Sequence, residues 1–126
     1  MRTTVTTYLR LPVNADEGFP QAFSMRFGER GYTVALEVSV IDEGVLAGGR
    51  PLVLPRPEAY LVVSVLREDP APAAVILRRK VVPRHEYQAA ELSLVFTEMV
   101  IDPRNLNGAG AFGSRVVGGV AARWAS

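Results

Sequence analysis

Two runs rich in β-branched residues constrain this chain more than any other feature. They are residues 59–66 (Ala-Tyr-Leu-Val-Val-Ser-Val-Leu) and 73–82 (Ala-Ala-Val-Ile-Leu-Arg-Arg-Lys-Val-Val). Side chains branched at Cβ suit a pleated, buried surface better than a helix. A polar connector, Arg67-Glu68-Asp69-Pro70-Ala71-Pro72, separates the runs, so they read as a hairpin. The rest of the chain offers further strands that can be laid against it.

Residues 4–11 alternate, with Val5, Thr7, Leu9 and Leu11 on one face, and Pro12 ends the run. After a loop, residues 22–27 form a second strand with Phe23, Met25 and Phe27 on one side. Gly28-Glu29-Arg30-Gly31 turns the chain into residues 32–41, the clearest alternation, with Tyr32, Val34, Leu36, Val38 and Val40 on a common face. Short apolar pieces follow at 45–47 and 51–54, and then the stiff connector Pro55-Arg56-Pro57. Residues 88–91 (Gln-Ala-Ala-Glu) favour a turn of helix by propensity. Leu92, Leu94 and Phe96 alternate with polar or smaller neighbours, which predicts a strand over 91–101.

The predicted fold is all-β, a small barrel or sandwich of about six to eight mostly antiparallel strands. It divides into a β domain over residues 1–105 and a glycine-rich C-terminal arm or final strand over 106–126, within one domain. The chain has 126 residues and is 48% hydrophobic, enough to fill one core. Its net charge of +1 creates no strong overall field for nucleic acid or membrane. Of 14 basic residues only Lys80 is lysine, a composition that fits a GC-rich or thermophilic bacterial genome. The absence of cysteine removes disulfides, thiolate nucleophiles and cysteine-based metal sites. The N-terminal residues lack the apolar centre of a signal peptide, and no apolar run reaches membrane-spanning length. The expected location is the cytoplasm, or a virion assembled there.

No catalytic, cofactor or metal site is expected. Gly108-Ala109-Gly110-Ala111-Phe112-Gly113 matches the spacing G-x-G-x-x-G, but a dinucleotide site also needs a following helix and an acidic residue about twenty positions on. Gly118 and Gly119 oppose that helix, and no acid follows Gly113. His85, the only histidine, sits beside Pro and Arg and reads as a surface residue. The acidic pairs Asp16-Glu17, Asp42-Glu43 and Glu68-Asp69 fall in predicted turns without the spacing of a calcium loop.

Two features carry functional readings. Arg78-Arg79-Lys80 is the one basic run; with Tyr60 near it, it could track single-stranded nucleic acid, the alternative being a strand end kept soluble by charge. The arm holds Phe112, Val116, Val117 and Trp124. It packs either on a neighbouring copy, with Trp124 as anchor, or back on its own sheet.

Residues 23–28 (Phe-Ser-Met-Arg-Phe-Gly), 32–36 (Tyr-Thr-Val-Ala-Leu) and 51–54 (Pro-Leu-Val-Leu) resemble small tail and baseplate plug proteins of bacteriophages. Those open with a similar short hairpin followed by an apolar "PLV" strand. The likeness covers about a quarter of the chain and rests on common strand and turn types. The aromatic that such proteins carry late in the second strand is absent here, where Ser39 and Val40 stand. The resemblance implies a non-enzymatic virion part repeated around a symmetry axis.

The expected function is therefore a structural or assembly subunit that associates with copies of itself, and with other assembly proteins, through edge strands and the arm. Single-stranded nucleic-acid binding through Arg78, Arg79, Lys80 and Tyr60 is the first alternative, and a ligand-binding or enzymatic barrel around His85 is the second. On the assembly reading, deleting 106–126 abolishes association and leaves a folded β domain.

Overall fold

The computed structural model describes residues 7–122. They form nine strands: β1 (Leu9–Arg10), β2 (Gln21–Phe27), β3 (Arg30–Val40), β4 (Leu52–Val53), β5 (Ala59–Asp69), β6 (Ala74–Lys80), β7 (Glu86–Ala89), β8 (Leu92–Ile101) and β9 (Arg115–Ala122). Single 3-10 turns span Ala15–Glu17, Glu43–Leu46 and Pro103–Asn105. No helix among the described residues is long and apolar enough to cross a membrane.

The all-β expectation holds, and the arrangement is a sandwich rather than a closed barrel. One sheet has the order β2-β3-β5-β6. The other runs β1-β9-β8, with β8 continued by β7 along its first half and β4 along its second. All strand pairs are antiparallel.

Period-two alternation builds the core. Tyr32, Val34 and Leu36 on β3 and Leu61, Val63 and Val65 on β5 are buried on one inner face. Leu92, Leu94 and Phe96 on β8, with Val116 and Val120 on β9, form the facing layer. β8 keeps its apolar side inward over ten residues only because a bulge at Thr97 shifts the phase. Before it the even positions are buried; after it Met99 and Ile101 are.

Two sequence expectations are corrected. The helical propensity of 88–91 is overridden: Glu86–Ala89 is a strand that turns directly into β8, with Ala90 at φ 53° in the turn. The strand expected over 4–11 is described only as Leu9–Arg10; Leu11 is buried but Leu9 is 59% exposed, and residues 4–6 lie outside the described part.

The C-terminal segment closes its own sheet. β9 lies between β1 and β8, and Val116, Val120 and Ala121 are buried there. Gly118 is in register with Phe96, and a Cβ at that position would stand 2.7 Å from the Phe96 ring. Gly118→Ala is expected to cost about 1–3 kcal/mol by overpacking, read as a lowered urea midpoint. Deleting 106–126 now carries the opposite expectation from the one drawn above. It removes an interior strand, so the remainder should lose its cooperative unfolding transition, as followed by circular dichroism.

Candidate functional site

Strand order decides which backbone groups are left without a partner. β2 and β6 are the two edges of the four-stranded sheet. The β6 edge is guarded. A bulge lies opposite Val65/Leu66, Arg78, Arg79 and Lys80 crowd one end, and Pro70 and Pro72 lie in the connector at the other. β2 lacks the bulge and the run of charge, and Pro20 just before it lies outside the strand. Its register with β3 is unbroken from Gln21 to Phe27, it contains no proline or lysine, and Arg26 is its only charge.

The turn into β3 fixes how β2 presents that edge. Gly28 and Glu29 form a two-residue loop, with Gly28 at φ 65°, the first central position of a type II′ turn. Phe27 and Arg30 therefore close the hairpin as a hydrogen-bonded pair, and the alternation continues back along the strand. Phe27, Met25, Phe23 and Gln21 direct their backbone groups to β3. Arg26, Ser24 and Ala22 direct theirs to the open edge. Among the described residues no other strand pairs with β2. On the inner side Phe23, Met25 and Phe27 are only half-buried, packed against the rim of the core.

The basic run is placed as the alternation predicts. Arg78 and Lys80 lie across from Ser64 and Val62 on the outer face, and Arg79 lies across from buried Val63 on the inner one. Tyr60 is brought to Lys80, whose Nζ lies 4.8 Å from the ring centroid. Arg78 is engaged: one guanidinium nitrogen donates to Glu37 at 2.7 Å and another to Ser64 Oγ at 2.9 Å. Arg79 lies over Tyr87, 5.4 Å from that ring. The four residues thus divide between two faces, and the outer aromatic is covered by the chain's own cation. His85 is exposed, edge-to-face with Tyr87 at 4.6 Å.

The residues nominated for self-association are dispersed. Val116 is buried in the chain's own core. Val117 lines an open cleft of about 240 Å³ with Tyr8, Arg10, Val95 and Thr97 on the outer face of the five-stranded sheet. Phe112 lies under the Arg104 guanidinium at 4.2 Å. Trp124 lies outside the described residues. The glycine-rich run is an ordered loop. Buried Asn105 donates to the carbonyls of Gly108 and Gly110 and accepts from Ser114 Oγ at 2.6 Å. Ser114 in turn accepts the Asp102 N–H at 2.7 Å.

Sequence reading missed one polar cluster. Glu91, in the turn between β7 and β8, reaches across to the other sheet. It accepts from Tyr32 Oη at 2.5 Å and from Arg67 Nε at 2.8 Å, and a second Arg67 nitrogen binds its other oxygen. Arg30 adds an ion pair at 3.2 Å. The Glu91 side chain is 9% exposed. Hydrogen bonds from Arg67 and Tyr32 hold its carboxyl well below the usual carboxylate range, against the opposing effect of burial. Burial first, and then the bond to Glu91, push the Tyr32 phenol up to about 12. The cluster clasps the two sheets. Among the described residues no group of three or more His, Asp or Glu side chains could hold a metal ion.

No protein-family model, curated protein or solved structure matches the chain.

Glu91→Ala is expected to destabilise the fold by about 2 kcal/mol, because Arg67 and Tyr32 are left facing a sheet interface without their acceptor. Breaking the exposed Arg115–Glu98 pair should leave the denaturation midpoint nearly unchanged. The clasp also sets a pH dependence. A carboxyl lowered from an ordinary value of 4.5 contributes its full stability above that pH and loses it as pH falls. A phenol raised from 10.0 to about 12 contributes below pH 10 and loses its share as pH rises through 12. Urea melts at stepped pH should therefore fall more steeply for the wild type than for Glu91→Gln below pH 4.5, and than for Tyr32→Phe above pH 10.

Proposed function

We propose that this chain is a non-enzymatic structural subunit that associates with copies of itself, a part from which a larger assembly such as a phage tail or capsid is built. The observation that carries the reading is the bare edge of β2. A seven-residue strand with outward backbone donors and acceptors and half-buried aromatics beside them is a template for another strand. The same sheet guards its other edge with charge and a bulge, so the contrast lies within one molecule. The phage resemblance supports the virion direction, since its segments fall on β2, β3 and β4.

The nominated surface moves accordingly, from the C-terminal arm to the second strand. A contact of one strand edge lies at the small end of specific interfaces, so association is expected at concentrations on the order of micromolar.

Light scattering over a concentration series tests the reading. The wild type should exceed the 13.7 kDa of one chain as concentration rises. Ser24→Pro should remain at that mass with its fold intact. Its missing N–H is one that faces the open edge, so no bond to β3 is lost. A wild type that stays monomeric to millimolar concentration would overturn the reading.

A further inference from the structure

We infer that the occupant of the β2 edge is the β2 strand of a second copy, antiparallel and centred on Ser24, joining two four-stranded sheets into one of eight across a two-fold axis. This rests on the self-association reading and adds the partner strand, its direction and its register.

Register follows from what the strand can offer itself. In a two-fold antiparallel pair, residue i lies opposite residue j with a constant sum, and only even sums match outward backbone groups with outward ones. Centring on Ser24 pairs all seven residues, Gln21–Phe27. Centring on Phe23 or Met25 shortens the overlap and leaves one end of the strand unpaired. Centring on Arg26 sets two guanidinium groups directly opposite each other, which is unfavourable.

The Ser24 register also satisfies the side chains. On the outer face Arg26 lies opposite Ala22, so each charge meets a small neutral residue and keeps its own contacts with Asp69 and the Glu29 carbonyl. On the inner face Phe23 lies opposite Met25, and Phe27 opposite Gln21. A thioether against an aromatic ring is a favourable contact. The aromatics left half-buried at the rim each gain a cover from the other copy. A pairing of β2 with the β6 edge of another copy has no such match. It would have to cross the bulge and set the Gln21 end of β2 against Arg78, Arg79 and Lys80.

The chain contains no cysteine, so single cysteines report this geometry without background. In the inferred dimer the two Ser24 residues form a hydrogen-bonded pair with Cα atoms about 5.5 Å apart, within disulfide reach. Two Ala22 residues are displaced by four positions, about 13 Å, and cannot join. Full-length Ser24→Cys, Ala22→Cys and Arg26→Cys proteins are oxidised under mild conditions, with matching thermal melts as the check on folding.

Ser24→Cys should form a disulfide-linked dimer about tenfold more than either other variant alone, and an equimolar mixture of Ala22→Cys and Arg26→Cys should cross-link where each alone does not. The mixture keeps Ser24 native, so it decides the matter if Ser24→Cys folds poorly. Equal cross-linking of Ala22→Cys and Ser24→Cys, or none in any variant while the wild type is oligomeric, overturns this register and leaves the self-association reading standing. A wild type monomeric throughout, with no cross-link in any variant, overturns both.

Discussion

Two apolar faces must meet at one spacing, and the rest of this molecule follows from that requirement. Stacked sheets pack about 10 Å apart, so each inner side chain has to interlock with the layer opposite. Valine and leucine on β3 and β5 provide one layer; Leu92, Leu94, Phe96 and Val120 provide the other. Where a bulky ring enters, something must yield, and Gly118 gives Phe96 its room. The bulge at Thr97 belongs to the same requirement, because without it the second half of β8 would turn Met99 and Ile101 toward solvent. At the rim, where apolar contact gives out, Glu91 with Tyr32 and Arg67 completes the junction with charge.

Sheets that face each other in this way still have ends, and the two sheets treat theirs differently. In the five-stranded sheet the edges are short: β1 and β4 have two residues each and β7 four. Short edges are poor templates. The four-stranded sheet has two seven-residue edges, one charged and bulged and one plain. The asymmetry is specific to one strand. It gives the functional reading a location that composition alone could not supply.

Much of the fold was legible because alternation is a local signal. Both principal hairpins and the strand over 92–101 follow from it. What was not legible depends on partners distant in the chain. Residues 88–91 carry helical propensity, but Glu91 is drawn across to Arg67 and Tyr32, and Ala90 takes a positive φ to allow it. The C-terminal segment read as either an arm or a final strand because glycines weaken strands; it is a strand, and Gly118 is required by a ring on its neighbour. Tyr60 and Lys80 do meet, as the hairpin reading suggested, but the pairing of Arg78 with Glu37 needed the neighbouring β3. The bare edge of β2 was invisible for the same reason, since which strand is outermost is a property of the sheet order.

The position of β9 also bears on how the domain is made. As synthesis proceeds, β2, β3, β5 and β6 are all made before β7 and β8, and they are joined by neighbouring hairpins and one longer connection. Their inner face stays uncovered until β8 appears, and the second sheet stays incomplete until β9 inserts between β8 and the much earlier β1. Before β8 is made, Val34, Leu36, Leu61 and Val63 therefore have no facing layer to cover them. β2, with its unguarded edge, is already synthesised at that stage. On a polysome, where several such chains are held close together, an incomplete chain would offer both that face and that edge to chaperones and to its neighbours.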